Sequence, residues 1–78
     1  MVANVLLFAS WADALGPSVR LELPEGATVR HLLDAMTARA VGKSLPKPLV
    51  AVNHKYARAD LHLRHGDEIA IIPPVAGG

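Results

Sequence analysis

A single amphipathic helix pattern limits what this chain can fold into. Apolar residues recur at spacings of three and four and form one stripe, made of Val29, Leu32, Leu33 and Met36. Thr28, directly before the stripe, predicts a helix N-cap, and Gly42 followed by Pro46 predicts that the helix has ended there. Because one helix has one apolar face to bury, strands in the rest of the chain must supply the layer it packs against.

The first two strands are predicted near the start of the chain. VANVLLFAS is almost continuously apolar, so we expect a central strand that is buried on both faces. WADALGPS follows and is expected to be a loop, because Gly16-Pro17 is strong loop punctuation. VRLEL then alternates, with Val19, Leu21 and Leu23 on one side, and we expect it to pair with the first strand as a hairpin.

The last two strands are predicted in the second half of the chain. LVAVN is β-branched and apolar, and EIAII alternates so that Ile71 faces the core and Ile72 faces outward. The polar stretch between them, HKYARADLHLRHGDE, is expected to be a loop that Leu61 and Leu63 anchor and that ends in a turn at 65–67.

The order strand, strand, helix, strand, loop, strand is typical of an α+β arrangement. It matches the β-grasp, or ubiquitin-like, plan, a mixed sheet with one main helix whose first and last strands run parallel at the centre. That placement comes from the known fold and not from the periodicity. Pro73 cannot donate a hydrogen bond to a sheet, so strand pairing should end there. We expect a β-grasp domain over 1–72 and a flexible, extended tail over 73–78.

Composition excludes several classes of function. At 78 residues the chain fits one small domain without room for a large walled substrate pocket. Its 8 basic and 7 acidic residues give no case for binding to nucleic acid or to a membrane surface. The chain has no cysteine and no basic leader before its first apolar run, so we expect a cytoplasmic protein without a signal peptide.

The last eight residues, IIPPVAGG, have a composition that suits delivery of a chain end. Pro73-Pro74 favours an extended backbone that loses little entropy when it docks. Gly77 and Gly78 have no Cβ atom and fit a channel too narrow for side chains. The terminal carboxylate of Gly78 is unshielded, and ATP can convert it to an acyl-adenylate that sulfur or nitrogen nucleophiles attack. The sequence therefore predicts that the tail carries the reactive group and that no catalytic side chain is needed.

Three segments carry a resemblance to a known family: VLLFAS near the start, LVAVN at 49–53, and GDEIAIIPPVAGG at 66–78. The chain resembles the small, sulfur-carrier subunits of molybdopterin synthase over nearly its whole length. Related carriers for thiamine also end in Gly-Gly but typically lack the Pro-Pro before it, so the final block favours the molybdopterin pathway.

The resemblance implies a mechanism and its partners. An adenylating enzyme uses ATP and magnesium to activate Gly78, a sulfur donor converts it to a thiocarboxylate, and Gly77 keeps the end slim. The tail then enters the large synthase subunit, where the sulfur passes to cyclic pyranopterin monophosphate; two carriers and two large subunits form the heterotetramer. No cofactor is expected to bind the chain itself. The residues implied in partner binding are Phe8, Ile72, Pro73, Pro74, Val75 and Ala76.

One segment departs from the family pattern. Many members carry an arginine-glutamate pair in the loop after the first strand, where this chain has Ala12-Asp13. A partner salt bridge made by that arginine is therefore in doubt here, and Trp11 is a candidate for an apolar contact in its place.

Other site types have weaker support in the sequence. His54, His62 and His65 fall in a predicted loop without cysteine, and we expect solvated surface there and no metal site. Asp67-Glu68 is better explained as a charged turn than as a catalytic carboxylate pair. Two alternatives to the molybdopterin carrier stay open: a sulfur carrier for thiamine or another pathway, and a ubiquitin-like modifier or binding module that moves no sulfur.

Overall fold

The computed structural model describes residues 1–73, and the part of the chain beyond Pro73 lies outside the described residues. Its elements in chain order are β1 (Val2–Leu7), α1 (Ala9–Leu15), β2 (Ser18–Glu22), α2 (Val29–Arg39), β3 (Leu49–Val52), β4 (Lys55–Tyr56) and β5 (Ile69–Ile72). The strands form one sheet in the order β2-β1-β5-β3-β4, in which β1 and β5 run parallel and the other neighbours run antiparallel. This is the predicted α+β fold of the β-grasp type, with the first and last strands side by side.

The core lies on one face of the sheet, where the side chains of α2 meet those of β1 and β5. Val29, Leu32 and Met36 of α2 belong to the same buried cluster as the inward-facing residues of these strands. The helix begins as predicted: the backbone N–H of His31 donates to Thr28 Oγ1 at 3.4 Å, and the Thr28 N–H donates to His31 Nδ1 at 2.9 Å. This reciprocal capping box satisfies two backbone donors that would otherwise lack partners.

The two-sided burial predicted for β1 is wrong. Its side chains alternate, so that Ala3, Val5 and Leu7 are buried while Leu6 is 40% exposed and Phe8, just beyond the strand, is 48% exposed. Among residues 1–73, α2 covers the inner face of the strand, and no described element covers its outer face. A continuous apolar run is compatible with burial on both faces, and also with burial on one face beside an exposed apolar face. Sequence periodicity cannot distinguish these two cases.

The segment WADALGPS, predicted as a loop, forms the short helix α1 and then turns at Gly16 into β2. The loop signal of Gly16-Pro17 marks the end of this helix and says nothing about the residues before it. Trp11 of α1 is buried in the core, and its Nε1 donates a hydrogen bond to the Pro46 carbonyl oxygen at 3.0 Å. The suggestion that Trp11 contacts a partner is therefore wrong, because the indole stabilises the domain itself.

The polar stretch before β5 contains more structure than a loop. It includes the two-residue strand β4 and an isolated bridge between Thr28 and His62. Leu63 is buried, as predicted, whereas Leu61 is 43% exposed and does not anchor the segment. The turn before β5 is confirmed, since the Asp67 N–H donates to the Arg64 carbonyl at 3.1 Å and the Arg64 N–H donates to Asp67 Oδ2 at 2.8 Å.

Both helices among residues 1–73 are short, with 7 residues in α1 and 11 in α2. Neither has the length and continuous apolar character that crossing a bilayer requires.

The burial of α2 predicts different costs for two leucine truncations. Leu32→Ala should lower the free energy of unfolding by about 2–5 kcal/mol, because Leu32 is fully buried and a cavity remains. Leu61→Ala removes the same atoms from an exposed position and should cost less than about 1 kcal/mol. Urea titration followed by circular dichroism measures both, and equal costs would contradict the placement of the core.

The turn between β3 and β4 predicts a second stability difference. Asn53 has φ 53°, and its side chain makes two hydrogen bonds, to the Glu68 N–H and to Asp67 Oδ1. Asn53→Ala should lower the free energy of unfolding by about 1–2 kcal/mol, because it removes both bonds and leaves a residue that disfavours this conformation. Asn4→Ala, at an exposed position of β1, is the matched control and should change it by less than about 0.5 kcal/mol.

Candidate functional site

The outer face of the sheet, opposite the core, is apolar across three strands. In the strand register Leu6 lies beside Ala70, and Leu49 lies opposite Ile72. These side chains point away from α2, because their neighbours along each strand point into the core. Leu6 and Leu49 are both exposed, so no described element covers this part of residues 1–73. A contiguous exposed apolar face of this kind is typical of an interaction site.

This face contains a groove of about 380 Å³. Its apolar lining residues are Leu6, Phe8, Ala51, Tyr56, Ala70 and Ile72. Ala51 and Ala70 are opposite each other on β3 and β5, and their small side chains leave a depression between the larger residues on either side. The groove therefore has the shape to receive an apolar side chain from another molecule.

A polar pair completes the lining of the groove. His54 Nε2 and Glu68 Oε2 lie 2.6 Å apart, and both side chains are exposed. His54 has φ 70° and follows Asn53 in the turn between β3 and β4, whereas Glu68 directly precedes β5. The pair thus joins two segments that the chain order separates.

Asn53 ties the turn to the start of β5 through three hydrogen bonds. Its backbone N–H donates to the Glu68 carbonyl at 2.7 Å, its Oδ1 accepts from the Glu68 N–H at 2.9 Å, and its Nδ2 donates to Asp67 Oδ1 at 3.0 Å. These bonds fix the backbone from which the Glu68 carboxylate extends. The two acidic residues at 67–68 therefore have different roles: the Asp67 side chain accepts hydrogen bonds within the turn, and the Glu68 side chain lines the groove.

Three of the residues singled out for partner binding lie in the described part of the chain. Ile72 alternates with the fully buried Ile71 and faces outward into the groove, as predicted. Phe8 lines the same groove, and Pro73 follows the last strand residue and is half-buried. The structure places Phe8 and Ile72 together, and the role of all three in partner binding stays a prediction.

The remaining predicted site residues lie outside the described residues. They are Pro74, Val75, Ala76, Gly77 and Gly78. The structure shows that β5 ends at Ile72, one residue before Pro73, so the chain leaves the sheet beside the groove.

Two of the three histidines considered for metal binding, His54 and His62, contact different partners. His54 pairs with Glu68, and His62 Nδ1 lies 2.9 Å from the Gly26 carbonyl oxygen. Within residues 1–73, no three histidine, aspartate or glutamate side chains come together as a metal site requires.

Sequence reasoning found two groove residues and missed most of the others. The prediction that β1 is buried on both faces places Leu6 in the core, and Ala51 carries no signal beyond its strand. Tyr56 lies on the groove and is 69% exposed. The available signal was the alternation in EIAII, which places Ala70 and Ile72 on one face, but the neighbours across the sheet follow from the register.

The chain is similar to known proteins over almost its whole length. It matches the ThiS family over residues 5–78. The molybdopterin synthase sulfur carrier subunit of Arabidopsis thaliana is 35% identical over 78 residues, covering 96% of this chain and 81% of that protein. The protein of the same name from Chlamydomonas reinhardtii is 35% identical over 83 residues and covers 100% of both chains.

Solved structures agree with this assignment. The putative molybdopterin converting factor, subunit 1, from Pyrococcus furiosus has a TM-score of 0.82 and 29% identity, covering 95% of this chain and 98% of its own. SAMP1 from Haloferax volcanii has a TM-score of 0.79 and 29% identity, with 100% of both chains covered. On the match over residues 5–78 and the identity to full-length relatives, this β-grasp protein belongs to the ThiS family, alongside the molybdopterin synthase sulfur carrier subunits.

Proposed function

We propose that this protein is the sulfur carrier subunit of a molybdopterin synthase and works in the cytoplasm. The observation that carries the proposal is that relatives with this name align with 96% or more of the chain at 35% identity. The terminal block PPVAGG, which follows β5 directly, supports it, because it ends in the glycine pair that the chemistry uses.

The proposed chemistry takes place at the carboxyl group of Gly78. A carboxylate oxygen attacks the α-phosphorus of ATP on a partner adenylating enzyme, and pyrophosphate leaves. Hydrosulfide from the sulfur donor then attacks the carbonyl carbon of the glycyl adenylate, AMP leaves, and the thiocarboxylic acid that forms loses its proton to give the thiocarboxylate. In the synthase this sulfur passes to cyclic pyranopterin monophosphate, and water restores the carboxylate. ATP and magnesium belong to the partner enzyme, and the chain itself needs no bound cofactor.

The chain's own contribution is to present that carboxyl group. The groove beside β5 docks the large synthase subunit through Phe8 and Ile72, and Pro73, Pro74, Val75 and Ala76 lead from this docking face toward the partner's active site. Gly77 and Gly78 add no side chain at the narrow end. Two carriers and two large subunits make up the proposed assembly, in which the carrier is non-catalytic and the sulfur transfer is the work of the whole enzyme.

Changing the length of the chain at Gly78 tests the position of the reactive group. Deleting Gly78, or adding one alanine after it, should abolish thiocarboxylate formation. The deletion ends the tail one residue short of the adenylating site, and the extension ends it in an alanine carboxyl in place of that of Gly78. The measurement is intact mass after incubation with the adenylating enzyme, ATP and a sulfur donor, read as the replacement of one oxygen by sulfur. Val41→Ala, at a position that is 80% exposed, is the control, and all variants should melt at the same temperature. Normal sulfur loading of either Gly78 variant would contradict the proposal.

A charge placed in the groove tests the docking face. Ile72→Glu should weaken binding of the large synthase subunit by about tenfold or more, because a carboxylate would be desolvated at the centre of the interface. The melting temperature should change little, since Ile72 points away from the core. Leu61→Glu, at an exposed position outside the groove, is the matched control and should bind normally. Calorimetric titration measures all three proteins, and unchanged affinity of the Ile72 variant would argue against this docking face.

A second candidate function is attachment to other proteins. A structure described as H. volcanii small archaeal modifier protein 1 has a TM-score of 0.78 and 28% identity over 95% of this chain. The same activated Gly78 carbonyl can be attacked by a lysine amine, which releases AMP and forms an isopeptide bond. Mass spectrometry of the products would distinguish the two functions: a thiocarboxylate supports the carrier, and a glycyl-lysine linkage supports the modifier. A thiocarboxylate that serves a thiamine precursor and not the pterin would support the remaining alternative.

A further inference from the structure

The groove carries one carboxylate in an otherwise apolar and aromatic lining. Among the described residues that line it, Glu68 is the single acidic side chain, and His54 is the single basic one. Glu68 Oε2 lies 2.6 Å from His54 Nε2 and pairs with it. The described hydrogen bonds and salt bridges involve only that one of its two oxygens. A carboxylate accepts several hydrogen bonds, so Glu68 can bind a further donor without losing His54.

The backbone that bears this carboxylate is held in place before any partner arrives. The Glu68 backbone is held on both sides by Asn53, whose N–H and Oδ1 bond its carbonyl and its N–H. His54 orients the carboxylate from the neighbouring turn. Preorganised groups lose less freedom on binding, so a partner cation meets a charge that is already in place.

We propose that the groove selects a partner segment in which an apolar side chain lies next to an arginine or lysine. The apolar side chain fills the depression over Ala51 and Ala70, and the cation donates to Glu68. A carboxylate in the partner at that place would be repelled by Glu68. The proposal rests on the docking face proposed above and adds the chemistry of the segment that this face recognises.

Charge complementarity favours a cation over other polar groups as the binding partner of Glu68. A neutral amide can also donate to Glu68, but hydrogen bonds with two ionised partners are shorter and stronger than those with one. The neighbouring hollow, lined by Lys55, Arg58 and Arg64 as well as Asp60 and Asp67, has mixed charge and offers no comparable single anchor. The polar selectivity of the groove is therefore set at Glu68.

Three short peptides test the proposal on the full-length protein. The ¹⁵N-labelled chain is titrated with the blocked tetrapeptides Gly-Leu-Arg-Gly, Gly-Leu-Gln-Gly and Gly-Leu-Glu-Gly, and amide shifts are followed by NMR. The arginine peptide should bind about two- to fivefold more tightly than the glutamine peptide, the range expected for an exposed ion pair, and more tightly still than the glutamate peptide. The largest shifts should fall on Leu6, Ala70 and Ile72.

Two variants separate the role of Glu68 from a general charge effect. Glu68→Gln should remove the preference for arginine while keeping the weaker apolar binding. Asp60→Asn removes one negative charge outside the groove and should leave the preference unchanged. Equal affinity of the three peptides, or a preference that survives Glu68→Gln, would overturn the proposal, as would shifts confined to the neighbouring hollow. Because the titration involves no sulfur, its outcome is independent of thiocarboxylate formation, so failure of one proposal does not imply failure of the other.

Discussion

The parallel pairing of β1 with β5 is the contact on which the rest of the structure depends. Val5 lies beside Ile69 and Leu7 beside Ile71, and all four are buried in the core shared with α2. The same register places Leu6 beside Ala70 on the outer face. Because side chains alternate along a strand, a shift by one residue would move the core set to solvent and destroy the groove. The core and the groove therefore lie on opposite faces of the same pair of hydrogen-bonded strands.

A second constraint acts at the end of β3, where a turn is bonded to the residues before β5. Asn53 makes three hydrogen bonds across this junction. They hold the start of β5 and also fix the place of Glu68 at the groove. Exposed hydrogen bonds contribute modestly to stability, so their larger consequence is positional.

The proposed function requires only that the fold is rigid and that it presents the terminal carboxyl group to a partner. In that proposal the chemistry is done at a terminal carboxyl group on partner enzymes, and the domain supplies a docking face beside the point where the chain leaves the sheet. The same device serves either a sulfur carrier or a protein modifier, since the nucleophile that attacks the activated glycine comes from the partner. The similarity of the chain to carriers and to SAMP1 fits this shared requirement.

The sequence by itself determined the elements whose residues repeat regularly. The stripe from Val29 to Met36 identified α2, the Thr28 cap its beginning, and the alternation in EIAII the direction in which Ile72 points. It also contains the glycine pair on which the proposed chemistry depends, because PPVAGG is recognised without any folding. Only the tertiary structure decided which face of β1 is covered, because an apolar run looks the same whether one or both of its faces are buried. The tertiary structure also buried Trp11 and placed His54 beside Glu68. Both contacts join residues that are far apart in the chain. Such contacts follow from strand register and layer packing, which local sequence patterns do not encode.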